Sequence, residues 1–497
     1  MNMNAVLAID QGTTSTKAIT FSDTGEVLTV SRSPLKQIYP QHGWVEQDPD
    51  DLLESVISSM RDAYQQATAK NIKISSIGIT NQRETTIVWD KTNGRPIYNA
   101  IVWQDRRTAE FIDTLKSANV ESVIRSKTGL MLDPYFSASK ISWILDNIPI
   151  ARPLAEQNKL LFGTVDAFLI WKLTDGLVHA TDVTNASRTS LFNIRTLEWD
   201  TELLNIYNIP SNILPETKKC TDNFGNVSKV ILGESIPIYG VAGDQQAALI
   251  GQHCFTKGQV KSTYGTGCFA LANTGDKIIE SENNLISTIS YQLSDTLAYG
   301  IEGSIFMAGG SSDWLINNLG IIRDHSEIET ICNSVSNDHD VYMVPAFTGL
   351  GAPWWEPNTR AAIYGLGRET SKNELVRATI ESVAYQTNDL IMSMVKDGVS
   401  LAEMRVDGGM VTNHWFLQFL SDITRLNIQK SSTMECTALG AAILSGIGHS
   451  TMPSTENIAC SWENSFSTKP SMSMSQRNKL INKWTQAVTA TISYHSN

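Results

Sequence analysis

The sequence predicts an α/β protein and suggests two similar lobes, and a separate observation bears on each part of that prediction. Segments with strand-like alternation and segments with helical periodicity mix along the whole chain. The segment VLAIDQGTTSTKAITFSDTG near the start also resembles VKSTYGTGCFALANTG at 260–275, with Gly12 and Gly265 lying 253 positions apart. Each segment has the pattern strand, Gly-Thr loop, strand and Thr-Gly turn, which suggests two similar lobes. Because Gly-Thr turns are common, a chance echo is the alternative.

The composition is that of a large folded protein. The chain has 497 residues, of which 41% are hydrophobic and 18% are charged. This length and apolar content support a full core and two or three domains, and they exclude wholesale disorder. The net charge of −12 argues against a general binder of nucleic acid or of anionic membranes. A polyanion would have to be held locally, by backbone amides, a few cations or a metal.

The cysteines and the N-terminus indicate a cytoplasmic protein. Six cysteines are spread without close pairs, and neither zinc-ligand spacing nor a His-Glu-x-x-His motif is present. Free thiols in a reducing compartment are the simplest interpretation. The start of the chain has no basic segment before its short apolar run, and no stretch approaches eighteen apolar residues. We therefore expect neither a signal peptide nor a membrane span.

The secondary structure can be predicted in chain order. Asp48 and Pro49 form a favourable start for the first helix, at 49–69. Strands are predicted at 5–9, 17–21, 74–80 and 85–89. Further helices are predicted at 105–118, 137–147, 244–252, 311–319, 372–396, 412–424 and 436–447. The tail, roughly 465–497, is polar and receives no assignment.

Two hairpin tips of glycine and threonine are candidates for a phosphate site. The chain has neither a Walker loop nor a G-x-G-x-x-G motif. Glycine lets backbone amides point at an anion, and threonine hydroxyls add donors. At the first tip, Asp10 could hold a magnesium ion and Lys17 could add a cation. The alternative for each tip is a plain β-turn, with Asp10 accepting from its own turn.

Two further turns of small residues precede predicted helices. Asp407, Gly408 and Gly409 follow an apolar strand and lead towards Asn413. The stretch 306–313 likewise places Gly309 before a helix and ends at Asp313. Helix N-termini attract the phosphates of a nucleotide, although an ordinary tight turn is the alternative at each place.

A third group of residues suits a polyol. Adjacent Arg83 and Glu84 can hold vicinal hydroxyls, since arginine donates and glutamate accepts hydrogen bonds. Trp103 could form an apolar wall and Tyr135 could offer a phenol, while Asp244 begins a helix. If a hydroxyl attacks a phosphoryl group, Asp244 could orient that hydroxyl and accept its proton. The alternatives are a surface ion pair, core packing for the tryptophan and an N-cap for Asp244.

These residues occur in long stretches that resemble the carbohydrate kinases of the actin and hexokinase-like superfamily. The first family signature matches YFSASKISWILDN at 135–147, and the second matches 361–366 with 374–381. The stretches IDQGTTSTKA, GITNQRETT, NAIVWQDRRTAE, AGDQQAAL, STYGTGCF and VDGGMVTN resemble the members that phosphorylate glycerol. The resemblance runs from residue 9 to about 444. It implies two ribonuclease-H-like lobes around a central cleft, with the N-terminal lobe at 1–250 and the C-terminal lobe at 251–497.

The resemblance also implies a reaction and a set of roles. We expect ATP-dependent phosphorylation of glycerol to sn-glycerol 3-phosphate, with Asp244 as general base, Asp10 holding Mg²⁺, and assembly as a homodimer or homotetramer. Expected glycerol ligands are Arg83, Glu84, Trp103, Tyr135, Asp244, Gln245 and Phe269. Expected nucleotide ligands are Thr13, Thr14, Ser15, Lys17, Thr266, Gly309, Asp313, Gly409 and Asn413.

The chain departs from the family pattern at three places. Lys17 stands where arginine is frequent, and Asp313 stands where glutamine is common. The stretch 230–237 is short and lacks arginine, so inhibition by fructose 1,6-bisphosphate, known in some members, is not expected. Two alternative functions stay open, a ketopentose kinase of the same fold and a non-catalytic ATP-dependent interaction protein.

Overall fold

The computed structural model describes residues 3–460 and 462–495, which form two compact units. The first unit comprises Met1–His253, Ser287–Tyr299 and Glu435–Ser461. The second unit comprises Cys254–Ile286, Gly300–Met434 and Trp462–Asn497. Both units are therefore discontinuous in sequence. In the described part of the chain, no helix combines the length and apolar character that crossing a membrane requires.

The elements confirm the α/β class. The strands are β1 (Met3–Gln11), β2 (Ser15–Ser22), β3 (Val27–Pro34), β4 (Glu46–Gln47), β5 (Ile72–Asn81), β6 (Ile87–Asp90), β7 (Ala100–Ile101), β8 (Leu160–Gly163), β9 (Ala180–Asp182), β10 (Phe192–Asn193), β11 (Glu198–Trp199), β12 (Glu216–Lys218), β13 (Ile238–Gly243), β14 (Gln259–Tyr264), β15 (Cys268–Gly275), β16 (Ile286–Gln292), β17 (Leu297–Ile305), β18 (Tyr342–Val344), β19 (Ala362–Tyr364), β20 (Glu403–Asp407), β21 (Asn427–Ser431) and β22 (Asn464–Thr468).

The helices are interspersed with these strands along the chain. They are α1 (Pro49–Ala69), α2 (Ala109–Ser117), α3 (Glu121–Thr128), α4 (Ser137–Asn147), α5 (Ala151–Glu156), α6 (Val165–Leu173), α7 (Val183–Ala186), α8 (Thr201–Ile206), α9 (Lys229–Leu232), α10 (Asp244–Gly251), α11 (Gly309–Asn317), α12 (Glu327–Ser334), α13 (Lys372–Lys396), α14 (His414–Thr424), α15 (Cys436–Gly448), α16 (Thr455–Cys460) and α17 (Met474–His495). Two short 3₁₀ helices lie at Ser211–Ile213 and Gly409–Thr412.

The sheet of the first unit is covered by helices on both faces. Its strand order is β13-β5-β1-β2-β3, in which β1 and β2 form an antiparallel hairpin and β5 runs parallel to β1 and β13. On β5, Ile77 and Ile79 share a core with the apolar residues of α1. The alternate residue Gly78 faces α15, where a Cβ atom would lie 2.2 Å from the Ala441 carbonyl oxygen. Since alternate strand residues face opposite sides, α1 and α15 cover opposite faces of this sheet.

The sheet of the second unit repeats this arrangement. Five of its strands have the order β15-β14-β20-β21-β22, in which β14 and β15 form an antiparallel hairpin and β14, β20 and β21 run parallel. The hairpin predicted from the echo at 260–275 is therefore confirmed. The helices α13, α14 and α17 pack on this sheet through a shared core that includes Val383, Leu420 and Trp484.

Candidate functional site

The tip of the first hairpin, between β1 and β2, is held by hydrogen bonds from two buried glutamine side chains. Gln11 Nε2 donates to the Gly12 carbonyl over 2.7 Å, and Gln47 Nε2 donates to the Thr13 carbonyl over 2.6 Å. Across the tip, the Gly12 amide donates to the Ser15 carbonyl over 3.0 Å. These bonds turn carbonyl groups towards the protein, so the tip has a defined shape before any ligand binds.

Three carboxylates, of Asp10, Asp244 and Glu435, and the ammonium group of Lys17 lie beside this tip. The hairpin register places Asp10 opposite Lys17, and Lys17 Nζ contacts both Glu435 carboxylate oxygens at 2.9 and 2.7 Å. The pKa of Asp10 is raised to about 7, mainly by burial and against the attraction of Lys17, with a further contribution from the charges of Asp244 and Glu435. Protonating Asp10 or binding a cation would relieve this repulsion. The carboxylate partner of Lys17, Glu435, was not identified from the sequence.

A magnesium ion is compatible with this group as a nucleotide-bound ion. Within the described residues, no three His, Cys, Asp or Glu side chains are arranged to hold a metal by themselves. Magnesium commonly keeps several waters and takes one or two carboxylates together with phosphate oxygens. Asp10, with its raised pKa and its carboxylate neighbours, suits that role.

The predicted polyol residues Arg83, Glu84 and Asp244 lie together in the first unit. Arg83 Nε is 3.2 Å from Asp244 Oδ1 and 3.9 Å from Glu84 Oε1. The Arg83 and Glu84 side chains are 2% and 1% exposed, whereas 31% of the Asp244 side chain is exposed. The surface ion pair is therefore wrong as an alternative, because both partners are buried.

Asp244 does not serve as the N-cap of α10. The N-cap residue is Gly243, and Asp244 is the first residue of the helix. Its Oδ1 accepts a 2.7 Å hydrogen bond from the Gln245 amide and also faces Arg83. A carboxylate at this position is stabilised by the positive end of the helix dipole and keeps an exposed side for a ligand.

Glu84 is held in an uncommon backbone conformation. Its φ angle is +59°, and its carbonyl oxygen accepts from Ser137 Oγ at 3.0 Å and from Thr86 Oγ1 at 3.1 Å. Arg188, fully buried, donates from Nε to Glu84 Oε1 over 2.5 Å. Left-handed conformations of non-glycine residues cost energy and persist where the surroundings enforce them. Arg188 is a site residue that the sequence analysis missed, since it lies 104 positions from Glu84.

Trp103 connects the hairpin tip to Tyr135. The indole Nε1 donates to Thr13 Oγ1 over 3.0 Å, so the Thr13 hydroxyl can still donate its own hydrogen. The rings of Trp103 and Tyr135 meet edge to face with centroids 5.7 Å apart. Predicted polyol and phosphate residues of the first unit are thus in direct contact. Phe269 lies on β15 in the second unit, and its contact with glycerol stays a prediction.

A cavity of about 270 Å³ lies in the second unit. It is lined by all five nucleotide ligands that were predicted in this unit, namely Thr266, Gly309, Asp313, Gly409 and Asn413. The remaining lining residues, which were not among the expected ligands, are Tyr264, Gly265, Ser312, His325, Ile328, Ile380, Met410, Thr412 and Phe416. His325 Nε2 lies 3.1 Å from Asp313 Oδ1, which gives one side of the cavity an acid and a base in contact.

The second hairpin tip forms one wall of this cavity. The Gly309 amide donates to the Gly265 carbonyl over 2.9 Å, and the Gly310 amide donates to the Thr266 carbonyl over 3.0 Å. Gly408 has a φ angle of +96°, and a Cβ atom there would lie 2.4 Å from the Tyr264 carbonyl oxygen. Only glycine allows both that conformation and that approach. Asn413 caps α14 by accepting from the Phe416 amide over 2.9 Å.

Comparisons with known proteins agree with this architecture. The model of the FGGY family of carbohydrate kinases, N-terminal domain, matches residues 5–251, and the C-terminal domain model matches residues 260–449. Glycerol kinase of Chromobacterium violaceum is 49% identical over 98% of this chain and 97% of its own length. Glycerol kinase of Alteromonas mediterranea is 49% identical over 97% of this chain and 98% of its own length.

Solved structures show the same fold. The crystal structure of Plasmodium falciparum glycerol kinase with ADP superposes with a TM-score of 0.93 at 39% identity, covering 98% of both chains. Gluconate kinase from Lactobacillus acidophilus superposes with a TM-score of 0.88 at 20% identity, covering 99% of both chains, which speaks for the fold alone. With two family models covering most of its length and relatives near half identity, the chain belongs to the FGGY family of carbohydrate kinases.

Proposed function

We propose that the protein transfers the terminal phosphoryl group of ATP to a terminal hydroxyl of glycerol, giving sn-glycerol 3-phosphate and ADP. The observation that carries this proposal is that the buried Arg83 guanidinium contacts both the buried Glu84 carboxylate and the partly exposed carboxylate of Asp244. A donor, an acceptor and a base within one group suit a small polyol. The names of relatives at 49% identity support glycerol as that polyol.

In the proposed reaction Asp244 is the general base. The glycerol hydroxyl attacks the γ-phosphorus while its proton passes to Asp244, and the bond from phosphorus to the bridging oxygen breaks with release of ADP. Asp244 then returns the proton to solvent. The Arg83 guanidinium at 3.2 Å keeps the carboxylate oriented before the transfer.

Glycerol and the nucleotide would be held by separate sets of side chains. Arg83 and Glu84 would contact two hydroxyls, with Tyr135 and Gln245 completing the polar contacts and Trp103 and Phe269 covering the carbon chain. Thr13, Thr14, Ser15 and Lys17 would contact phosphate groups from the first hairpin. Thr266, Gly309, Asp313, Gly409 and Asn413 would contact the nucleotide from the cavity that they line.

Magnesium would be held by Asp10 as a complex with the nucleotide. When bound, the ion would neutralise charge on the transferring phosphoryl group. The carboxylates of Asp244 and Glu435 that raise the pKa of Asp10 would favour a divalent cation at the same place. Lys17 would have to exchange part of its contact with Glu435 for phosphate oxygens.

We also propose a domain boundary, a cellular location and an oligomeric state for the protein. A boundary near residue 250 between a glycerol-binding part and a nucleotide-binding part is supported by family models that end at 251 and begin at 260. A cytoplasmic location is supported by five described cysteines that are buried as thiols rather than joined in disulfides. A homodimer or homotetramer would be tested by sedimentation.

A panel of acceptors with a coupled assay for ADP release tests the proposed function. Glycerol should support turnover with MgATP, whereas xylulose, ribulose and gluconate should not. Turnover of a ketopentose without turnover of glycerol would replace the proposal by the ketopentose alternative. ATP binding without turnover of any acceptor would favour an interaction protein.

A further inference from the structure

A buried lysine lies beside the proposed glycerol site without a part in the reaction. Lys140, in the first family signature, is fully buried on the first turns of α4. Its ammonium group donates to the backbone carbonyl of Tyr135 and, over 3.3 Å, to that of Phe136. These are the two residues that immediately precede the helix.

This position is unfavourable for a lysine. Burial lowers the pKa of Lys140 to about 8, since removing an ammonium group from water costs energy. A cation near the N-terminus of a helix also opposes the helix dipole. Glu84, Asp105 and Asp133 oppose the pKa change by attraction, while Arg106 adds to it. The carboxylates of this group therefore offset part of the cost of burying the lysine.

The first turns of α4 reach two proposed glycerol ligands at once. Ser137 Oγ donates to the Glu84 carbonyl over 3.0 Å, which supports its left-handed backbone. Lys140 holds the carbonyls of two consecutive peptides, the one that joins Tyr135 to Phe136 and the one that joins Phe136 to Ser137. On the N-terminal side, Asp133 Oδ1 accepts from the Tyr135 amide over 2.9 Å. The Tyr135 backbone is thus anchored at its amide by Asp133 and at its carbonyl by Lys140.

We propose that Lys140 is a positioning residue that fixes Tyr135 and provides a counter-charge to Glu84, so that both meet glycerol in one orientation. Lys140 touches no reacting group in this scheme and acts through Tyr135. The inference deepens the proposed function and rests on it, because it assigns the geometry of the glycerol site to a residue outside that site.

The test compares Lys140→Met with a matched variant on the same helix. Lys140→Met keeps the length and apolar stem but removes the donor, and it should raise the KM for glycerol about 10- to 100-fold. The KM for ATP should change less than about twofold. Ser142→Ala is the control, since Ser142 is buried and its hydroxyl is bonded to the carbonyls of Ala138 and Tyr207 rather than to those of Tyr135 and Phe136. It should lower the melting temperature while leaving the KM for glycerol unchanged.

A double-mutant cycle separates positioning from general stability. In a Tyr135→Ala background, Lys140→Met should lower kcat/KM for glycerol by less than about threefold, because the Tyr135 side chain is gone and only the counter-charge to Glu84 is left to lose. Equal losses in both backgrounds would overturn the proposal, and so would an unchanged KM for glycerol in Lys140→Met. If Lys140→Met does not fold, Lys140→Leu, which also lacks the donor and the charge, replaces it in the same cycle. Failure of the wild type to use glycerol would instead refute the proposed function.

Discussion

At the scale of single residues, the proposed role of Asp244 as general base can be tested directly by mutation. Asp244→Asn should lower kcat about 10²- to 10⁴-fold, because an amide keeps the shape of the side chain but cannot accept the proton. Affinity for ADP should stay within a few fold, since Asp244 does not line the nucleotide cavity. A coupled assay and calorimetry measure the two quantities.

The control for this variant is Asp146→Asn. Asp146 is a carboxylate whose side chain is 57% exposed and paired with Arg152 on the surface. It should leave both kcat and ADP affinity unchanged. Near-full activity in Asp244→Asn would show that another group accepts the proton.

The raised pKa of Asp10 predicts a pH-dependent stability. Its pKa in the folded protein, about 7, exceeds the value of 3.8 expected when exposed, so the folded state binds more protons between these values. Its contribution to stability therefore falls as pH rises from about 4 to 7. Asp10→Asn should melt at a higher temperature than the wild type at pH 8 in the absence of metal, and at a similar temperature at pH 4.

Magnesium and nucleotide extend this measurement. At pH 8, Mg²⁺ with ADP should raise the melting temperature of the wild type more than that of Asp10→Asn, since the ion would favour the ionised carboxylate. Asp23→Asn, an exposed carboxylate in the turn after β2, should behave as the wild type throughout. Equal stabilisation of all three proteins by Mg²⁺ would exclude Asp10 as a ligand.

Residues adjacent in sequence were predictable, and their distant partners were not. Arg83 beside Glu84 indicated a polyol site by chemistry alone. Arg188 and Glu435, which pair with Glu84 and Lys17, lie 104 and 418 positions away in sequence. No local pattern signals such pairs, because each charge alone looks like an ordinary surface residue.

At the scale of elements, the turn before the Gly409–Thr412 segment shapes the wall of the proposed nucleotide cavity. Gly408→Ala would place a Cβ atom 2.4 Å from the Tyr264 carbonyl oxygen in a backbone with φ of +96°. We expect a loss of about 2–4 kcal/mol in stability, combining backbone strain with the displacement of β14. ADP affinity, measured by calorimetry, should fall about tenfold or more.

The matched control is Gly398→Ala, in the turn after α13. Gly398 has a φ angle of +86°, but a Cβ atom there would meet nothing within 4 Å. It should cost only the backbone strain, about 1 kcal/mol, and leave ADP affinity unchanged. Equal effects of the two variants would mean that the close approach to Tyr264 is unimportant.

Helices with strong end signals were predicted well, and others were missed for identifiable reasons. The predictions 49–69 and 372–396 match α1 and α13, whose starts carry an Asp48 cap and a Ser371–Glu374 capping box. The helix predicted at 412–424 began two residues too early, because the extended backbone of Asn413 separates the 3₁₀ segment from α14. Helix α6 was missed because nearly all of its residues are buried, which leaves no amphipathic pattern.

At the scale of the whole molecule, the repeated hairpin was predictable but the interleaving of the chain was not. The echo of two Gly-Thr segments corresponds to two hairpins that precede parallel strands in separate sheets. Nothing in the pattern of 436–447 indicated which sheet α15 covers. Its small residues allow a close approach to α10, and a Cβ atom on Gly440 would lie 1.8 Å from the Ala247 carbonyl oxygen.

This interleaving predicts the behaviour of a fragment. Residues 1–253 alone would lack α15 and expose the apolar surface of β5, β13 and α10 that this helix covers. We expect the fragment to bind a hydrophobic dye and to aggregate on heating below the melting temperature of the full chain. A fragment that unfolds cooperatively without dye binding would show that α15 is dispensable.

The position of α15 also sets a schedule for biosynthesis. Strand β5 ends at Asn81, whereas α15 begins only at Cys436. At about 5–20 residues per second, a ribosome needs about 20–70 s to make the intervening chain. Throughout that interval the nascent sheet waits with one face uncovered, which makes it a target for chaperones and for pairing with neighbouring nascent chains. Slow codons placed between these elements should therefore lower the yield of folded enzyme more than slow codons after residue 461.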